Sequence, residues 1–257
     1  MDRLMAKSNE KTPRSPCALI AHRGASGLAP ENTRAALRKA CEIGVDCIEI
    51  DVRLTGDQIP VLLHDASLKR IGPKSQKHSP INHSPLQTLK GYDIGSWFDP
   101  KFSKERLITL ADALALCQKQ VPLMIEIKRD THPPQVIVDA IFQALVANRS
   151  AWKHLFVGSF SYPVLALFKE KLQRTKLPIE LIGIADKSDC ISPFVDLGIG
   201  RLALWHKLIT PKLIDPLNKK KIPIWSFTVN NREEAEALAA LGVQGIITNF
   251  PNRLKKK

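Results

Sequence analysis

In the second half of the chain, short apolar runs typical of buried strands alternate with longer segments whose apolar residues recur at helical spacing. The predicted strands cover residues 122–127, 155–160, 179–185, 201–205, 222–229 and 245–248, and the predicted helices cover 109–118, 133–149, 162–172, 211–221 and 232–241. Residues 191–198 are ambiguous. Because helices separate successive strands, the strands are predicted to run parallel with right-handed crossovers. Such an order builds either a closed barrel or an open, doubly wound sheet.

The first half supplies three more strand candidates, at 17–21, 46–52 and 59–63, and a helix that Glu31–Thr33 caps and Gly44 ends. The chain then has one strand candidate more than the eight places of a barrel. The connection between Val52 and Ile59 is also too short to hold a crossover helix. We therefore expect strands two and three to be joined irregularly, or one candidate to lie outside the barrel.

Several of the predicted strands end in polar residues. His22-Arg23 follows the first strand, and His64-Asp65 follows the third. The carboxyl ends of barrel strands converge on one site, so this pattern favours the barrel. The glycine-rich motifs G-x-G-x-x-G and G-x-x-x-x-G-K-[ST] open none of the predicted helices, which leaves a nucleotide-binding open sheet with little support. The length of 257 residues also agrees with a barrel, which typically takes about 250.

The second predicted strand carries two carboxylates on one face. Within Asp46–Val52, strict alternation directs Glu49 and Asp51 away from the face of Ile48 and Ile50. Two like charges on a buried face are costly, and a divalent cation such as Mg²⁺ or Ca²⁺ removes that cost. The alternative is a polar stripe that faces solvent on an edge strand. The apolar flanks favour a central strand, and hence a metal.

Glu126 and Lys128 share the polar face of the strand at 122–127. Glu126 is a candidate third carboxylate for the same metal, and Lys128 is a candidate phosphate contact. An ordinary ion pair between them is an equally good interpretation of these two residues alone.

Two histidines at strand ends, His22 and His64, form a candidate acid–base pair. Imidazole is the side chain best matched to proton transfer near neutral pH. Arg23 places a guanidinium suited to phosphate beside the first of them. Taken singly, each has a plainer interpretation, namely polar residues that end a strand and a loop histidine beside a capping Asp65.

Residues 66–105 interrupt the alternation. They are rich in glycine and proline and show no long periodic element. A long structured loop of this kind is often a lid or a binding loop, so we expect it to cover one face of the fold. Trp97 and Phe98 would either line a site or anchor the loop, and His78 and His83 are expected to be surface residues.

Composition leaves the type of partner open. The net charge of +13 suits an anionic substrate, a nucleic acid or an acidic membrane surface. The five cysteines form no C-x-x-C pair, which fits free thiols in a reducing compartment. Residues 1–16 show no secretory signal, and no apolar run approaches the roughly 20 residues that span a bilayer. We therefore expect a cytoplasmic protein without stable membrane insertion.

Taken in order, these blocks resemble the glycerophosphodiester phosphodiesterase family, in its bacterial, cytoplasmic type. The matching segments are His22–Ser26, Pro30–Thr33, Glu49–Val52 with Thr55 and Asp57, His64-Asp65 with Leu68 and Arg70, Gly95–Phe98, Glu126–Lys128, Ser159-Phe160, Thr228–Asn230 and Gly242–Thr248. Each block alone is weak. Together they run in the family's order from about Ala18 to Pro251.

The resemblance implies an α/β fold, a (β/α)8 TIM barrel with a small insertion, 66–105, after strand 3. It implies a single domain at 17–254, with tails at 1–16 and 255–257. The implied activity is metal-dependent hydrolysis of glycerophosphodiesters, which are deacylated phospholipids, to sn-glycerol 3-phosphate and an alcohol. By motif match, the acid–base residues are His22 and His64, the Mg²⁺ or Ca²⁺ ligands are Glu49, Asp51 and Glu126, and the substrate contacts are Arg23, Lys128, Trp225 and Phe227.

Three positions depart from the family's usual residues. Gln58 stands where glycine is frequent, and Asn249 stands where aspartate is common. Phe227 replaces a tryptophan, with Trp225 two residues earlier on the same face. None of these changes removes a proposed catalytic group, but the change at Phe227 alters the pocket wall and leaves substrate preference open.

Other functions compete with this interpretation. A barrel phosphodiesterase of phospholipase C or D type would use the basic surface to reach intact lipid, but no amphipathic anchor is visible. A nucleic-acid-binding protein would use the same charge, but aromatic residues make up only 6% and no binding motif occurs. The complete set of histidines and carboxylates disfavours an inactive binding module. We therefore expect a small-molecule substrate as the partner.

Overall fold

The computed structural model of the chain describes residues 17–118 and 120–255, so the expected tail at 1–16 and the last two lysines lie outside the described residues. The strands are β1 Ala18–Ala21, β2 Cys47–Leu54, β3 Pro60–Leu62, β4 Leu123–Ile127, β5 Leu155–Ser159, β6 Ile179–Ala185, β7 Arg201–Trp205, β8 Ile224–Phe227 and β9 Gly245–Thr248. The helices are α1 Arg34–Ile43, α2 Leu86–Leu89, α3 Leu110–Cys117, α4 Pro134–Ala147, α5 Tyr162–Gln173, α6 Ile191–Asp196, α7 Pro211–Lys219, α8 Arg232–Leu241 and α9 Pro251–Leu254. Across these ranges, none of the helices combines the length and the apolarity that a membrane crossing needs.

Eight of the strands close into a parallel ring. The order around it is β1, β2, β4, β5, β6, β7, β8 and β9, and β9 pairs back onto β1. Helices connect the strands on the outside, as right-handed crossovers require. The predicted (β/α)8 TIM barrel is confirmed, and the ambiguous segment at 191–198 contains the short helix α6.

The remaining strand, β3, lies outside the ring. It pairs antiparallel with β2, with Val52 opposite Leu62 and Leu54 opposite Pro60. The expectation that strands two and three are joined irregularly, or that one candidate lies outside the barrel, is therefore confirmed, because a connection as short as residues 55–59 can only turn the chain back. In that turn Gln58 adopts a φ of 59°, the left-handed conformation that glycine takes more easily.

Alternate residues of the ring strands face the interior. Near the amino ends they form an apolar floor, which comprises Ile20, Cys47, Met124, Ile182, Ile184, Ala203, Trp225 and Ile247. The next inward positions after Ile20 and Met124 are His22 and Glu126. The same alternation that packs the floor therefore raises polar side chains at the carboxyl end of the barrel.

At the amino end of the barrel, Trp225 packs directly over Gly245. A Cβ atom on Gly245 would lie 2.3 Å from Trp225 Cδ1 and 2.8 Å from Ile20 Cδ1. Gly245→Ala is therefore expected to lower the free energy of unfolding by about 1–3 kcal/mol through overpacking, measured by urea denaturation. Gly91→Ala is the matched control, because its Cβ would meet only the Thr88 carbonyl at 3.5 Å. Equal stabilities of the two variants would contradict this account.

The insertion at 66–105 has a small core of its own. It contains only short helical turns and α2, as its irregular sequence predicts. Its buried apolar residues cluster with neighbouring strand residues: Val61, Leu63, Leu68, Ile71, Ile81, Leu89, Ile94 and Leu107. Backbone hydrogen bonds from Gly56 to Ile81 and Ser84 attach it to the turn after β2. The insertion is thus a packed part of the fold that starts directly after His64-Asp65.

Candidate active site

The site begins with a sharp turn after β1. Arg23 and Gly24 both have left-handed backbones, with φ of 57° and 76°. A Cβ on Gly24 would lie 2.6 Å from the carbonyl carbon of Ala36, so the turn requires glycine. This conformation lets the Arg23 backbone N–H donate to Glu49 Oε2 at 2.8 Å. This hydrogen bond joins the turn after β1 to strand β2.

Three carboxylates meet at the centre of the site. One oxygen each from Glu49, Asp51 and Glu126 lies within 4.8 Å of the other two. Glu49 and Asp51 are each only 1% exposed. Lys128 Nζ lies 2.5 Å from Glu126 Oε1 and 3.4 Å from Asp51 Oδ1, and Arg23 Nε lies 3.1 Å from Asp51 Oδ2. The side chains of Arg23 and Lys128 therefore pair with Asp51 and Glu126, and neither of them lies within ion-pair distance of Glu49.

The pKa values of these groups differ because their surroundings differ. Burial, together with the charges of Asp51 and Glu126, raises the pKa of Glu49 well above its ordinary value. Burial and the charge of Asp51 also raise the pKa of Glu126. Burial opposes ionisation of Asp51 too, but Arg23 and Lys128 overcome it and lower the pKa of Asp51 to about 2. Ionisation is therefore disfavoured at Glu49 and Glu126 and favoured at Asp51.

A divalent cation fits this cluster. Glu49 Oε1 and Asp51 Oδ1 are buried oxygens without a hydrogen bond. Buried polar atoms are normally satisfied, and hard cations such as Mg²⁺ and Ca²⁺ take carboxylate oxygens. A bound divalent cation would therefore both reduce the repulsion between the carboxylates and coordinate the two oxygens that lack hydrogen bonds.

The two candidate histidines stand at the edge of the carboxylates. His22 Nδ1 donates to Asn249 Oδ1 at 2.6 Å, and its Nε2 lies 4.0 Å from Glu49 Oε2. Burial and the nearby Arg23 lower the pKa of His22 to about 4. His64 Nδ1 donates to Asp65 Oδ1 at 2.6 Å, and burial lowers its pKa as well. Both rings are therefore neutral at pH 7, with Nδ1 protonated and Nε2 left as a proton acceptor.

Glu31 and Asn32 also belong to the site, although the sequence pattern predicted them only as part of a helix cap. Asn32, with a φ of 56°, donates from Nδ2 to Asp51 Oδ2 at 2.9 Å and accepts from the Asp51 backbone at 3.1 Å. Glu31 accepts from Arg23 and from Arg70. The cap itself is Thr33, so the two residues before it are free to face the site. The available signal was their place in the block Pro30–Thr33, to which no role was assigned.

Glu31→Gln is expected to destabilise the protein by about 1–3 kcal/mol at pH 7, because it weakens charged hydrogen bonds to two arginines. Burial disfavours the Glu31 carboxylate, but Arg70 and Arg23 outweigh burial and lower its pKa below the ordinary 4.5. Its stabilisation is therefore complete above pH 4.5 and is lost as pH falls through the lowered value. Urea unfolding at several pH values should show that the difference in unfolding free energy between the parent and Glu31→Gln becomes smaller at acidic pH.

The control for this variant is Glu42→Gln, which removes an exposed partner of Lys39. Exposed ion pairs contribute little, so its stability should match the parent at every pH. A constant deficit of the Glu31 variant down to strongly acidic pH would contradict the assignment.

An apolar wall borders the carboxylates on one side. Phe160 and Phe227 meet edge to face with ring centroids 5.9 Å apart, and Lys128 Nζ lies 5.9 Å from the Phe160 centroid. Phe160 is 39% exposed, so this wall is open to a ligand. Phe227 is thus beside the other predicted residues.

The structure does not bring Trp225 to this wall, which corrects the prediction for that residue. Trp225 is 3% exposed and belongs to the apolar floor, where its ring packs on Phe156 at 4.8 Å. Arg201 covers it with the guanidinium carbon 4.8 Å from the ring centroid. Trp225 therefore closes the amino end of the barrel and is not exposed to a substrate.

Comparison with known proteins gives a consistent result. Residues 22–253 match the glycerophosphoryl diester phosphodiesterase family. The chain is 33% identical to YhdW of Bacillus subtilis, which is named after this activity, over 93% of this chain and 96% of that protein. It is 30% identical to a glycerophosphodiester phosphodiesterase of Caldanaerobacter subterraneus over 92% and 95%. A phosphodiesterase of Oleispira antarctica, solved with the product sn-glycerol-3-phosphate, superimposes with a TM-score of 0.84 at 27% identity, over 92% of this chain and 94% of that one.

Proposed function

Because the chain belongs to the glycerophosphoryl diester phosphodiesterase family, we propose that the residues at the carboxyl end of its barrel carry out the family's reaction. The protein is an enzyme that hydrolyses glycerophosphodiesters. The proposed products are sn-glycerol 3-phosphate and an alcohol. The observation that carries this proposal is the set of three buried carboxylates, two of their oxygens without hydrogen bonds, between two neutral histidines.

Glu49, Asp51 and Glu126 are the proposed ligands of a divalent cation, either Mg²⁺ or Ca²⁺. When bound, the cation supplies Lewis-acid stabilisation of phosphate charge and lowers the pKa of a nearby hydroxyl. Asn32 keeps Asp51 oriented for this role through two hydrogen bonds.

Arg23 and Lys128 are the proposed phosphate contacts. Their charges lie on either side of Asp51, so both point toward the cluster where a phosphate would sit. Fixed cations there offset charge that develops on the phosphate oxygens in the transition state. Phe227 and Phe160 offer apolar surface beside Lys128 for the carbon atoms of the substrate.

His22 and His64 are the proposed proton carriers. One histidine removes the proton from the attacking hydroxyl at its Nε2, and the other, which takes up a proton at Nε2 when the anionic phosphate binds beside it, gives that proton to the leaving alcohol. The attacking group is a hydroxyl of the substrate's own glycerol, so the first product is a cyclic phosphate, which water then opens. His22 is held by Asn249 and His64 by Asp65, so each presents Nε2 for these transfers.

The test is release of glycerol 3-phosphate from glycerophosphocholine and glycerophosphoethanolamine. We expect release by the purified protein, its loss in EDTA, and its return when Mg²⁺ or Ca²⁺ is added back. The more effective ion and head group then become known from the same assay. Failure to release product from either diester, with cation present and the protein folded by circular dichroism, would contradict the proposal and favour intact phospholipid as the substrate. A cytoplasmic location stays a prediction.

A further inference from the structure

Arg70, the single arginine of the insertion at 66–105, makes an unusually full set of contacts. Its Nε donates to Asp65 Oδ2 at 2.7 Å. Its two terminal nitrogens donate to the two oxygens of Glu31, at 2.8 and 2.7 Å. One guanidinium therefore joins two carboxylates that come from different loops of the barrel.

Each of those carboxylates holds a residue of the proposed site. Asp65 accepts from His64 Nδ1 at 2.6 Å with its other oxygen. Glu31 accepts from the Arg23 guanidinium at 2.9 Å. The result is one continuous chain of charged hydrogen bonds that runs from His64 through Asp65, Arg70 and Glu31 to Arg23.

We propose that Arg70 is a positioning residue, which orients His64 through Asp65 and Arg23 through Glu31. Arg70 does not touch the carboxylate cluster, so its effect is exerted through these two partners. The inference rests on the proposed function, because it assumes that His64 moves a proton and that Arg23 contacts phosphate.

The chemistry of the partners explains why an arginine is needed. An ionised Asp65 only accepts, so it keeps the proton on His64 Nδ1 and leaves Nε2 as the reactive atom. Arg70 orients Asp65 through the hydrogen bond from Nε, while the two terminal nitrogens of its planar guanidinium bind Glu31. A lysine ammonium is a single point and cannot reproduce both arms.

Apart from the hydrogen bond to Asp65, few neighbouring groups can orient the ring of His64. Arg53 Nε donates to its backbone carbonyl at 2.8 Å, which places the residue but not the ring. The charged groups that act on the ring besides Asp65 are Asp51 from β2, Arg23 from the turn after β1 and Lys128 after β4. The outer side of Arg70 faces Trp97 of the insertion, with the guanidinium carbon 5.7 Å from the ring centroid.

The first test compares Arg70→Met and Arg70→Lys with Arg34→Met. Arg34 is the matched control, because its side chain is 42% exposed, as that of Arg70 is, and it pairs with one carboxylate, Asp112, at 2.7 Å. Loss of an orienting partner typically costs 10–100-fold in activity, so Arg70→Met should lower kcat/KM by about that factor, mainly in kcat. Arg70→Lys should recover only part of it, and Arg34→Met should match the parent. Full activity of Arg70→Met would overturn the proposal.

A double-mutant cycle separates positioning from general damage. In a His64→Ala background, Arg70→Met should cost much less than it does in the parent, because the effect routed through His64 has already been removed. An equal cost in both backgrounds would overturn the inference. Near-normal turnover of His64→Ala alone would instead contradict the proposed function.

A spectroscopic readout does not depend on turnover. In protein with ¹⁵N-labelled histidine, the His64 ring of the parent should show the tautomer protonated at Nδ1. Arg70→Met should shift that signal toward a mixture with the Nε2-protonated form, and Arg34→Met should leave it in place. An unchanged His64 signal in Arg70→Met, in a protein whose His64→Ala variant is inactive, would overturn the inference and leave the proposed function intact.

Discussion

Glu49→Gln is expected to lower kcat/KM by about 10³-fold or more, because a Lewis-acid cation contributes several kcal/mol to transition-state stabilisation and each 1.36 kcal/mol is tenfold in rate. The same change should make the cation-free protein harder to unfold. Glu49 is a buried carboxylate whose pKa is raised by burial and by Asp51 and Glu126, so an uncharged amide relieves that repulsion. The amide oxygen of the glutamine can still accept from the Arg23 backbone N–H, as Glu49 Oε2 does in the parent. Steady-state kinetics and thermal unfolding would measure the two effects.

The pH dependence of this stability has a definite sign. Between pH 4.5 and the raised pKa of Glu49, the folded state binds a proton that the unfolded state lacks. The parent's cation-free stability relative to Glu49→Gln should therefore improve as pH falls through that window. Saturating Mg²⁺ or Ca²⁺ should raise the melting temperature of the parent and not of the variant.

Glu180→Gln is the control for this prediction. Glu180 pairs with Arg201 at 2.9 Å at the amino end of the barrel, far along the strands from the carboxylate cluster. Its loss should leave turnover and the cation response unchanged and should not stabilise the protein. A Glu49→Gln variant that kept its cation response would contradict the assignment of this residue as a ligand.

His64→Ala is expected to reduce turnover by about 10²–10⁴-fold, the range typical of a lost general acid or base. His22→Ala should lose a similar factor, since the two proposed proton transfers are both required. Both variants should fold, because each ring is hydrogen-bonded to a single side chain through Nδ1 and belongs to the rim above the apolar floor. Initial rates with glycerophosphocholine would measure the loss.

His78→Ala supplies the comparison for this prediction. His78 belongs to the insertion, where its Nε2 bonds to the Pro73 carbonyl and its ring meets Tyr92 at 5.2 Å. Its removal should leave turnover within the error of the assay. Near-normal activity of His64→Ala would show that another group performs its proton transfer.

The alternation along β2 predicted that Glu49 and Asp51 share one face, whereas it left Glu126 as a candidate third carboxylate or an ion-pair partner of Lys128, and the structure shows it as both. Side-chain direction in a strand has a period of two, and neighbouring strands of a parallel barrel are in register, with Asp51 opposite Glu126. The fold class followed from the same local regularity. The short connection from Val52 to Ile59 predicted an irregular joining or a candidate outside the barrel, but not that β3 is the strand outside, because a short apolar run looks the same inside and outside a ring.

Depth along the barrel is the quantity that alternation does not provide. Trp225 and Phe227 share the inward face of β8, as predicted, but two residues of strand advance about 6.6 Å along the axis. That step separates the apolar floor from the wall beside Lys128. The direction of Trp225 was therefore predictable, and its distance from the carboxylates was not.

The contacts of Glu31 and Arg70 were beyond the reach of local patterns. Both residues lie in segments without periodicity, and they meet only because the insertion folds back over the turn after β1. A charge on a loop has many possible partners of opposite sign. Only the closed structure selects among them.

The reversal at residues 55–59 has a consequence for the order in which the site can assemble. The hairpin of β2 and β3 continues in a hydrogen bond from the Leu63 backbone to the Asp51 carbonyl, so His64 is delivered beside Asp51 by a unit that is local in sequence. Closing a short loop costs little chain entropy, whereas joining β1 to β9 closes nearly the whole chain. One histidine can thus be in place with two carboxylates before the ring closes, while His22 reaches Asn249 only when the first and last strands meet.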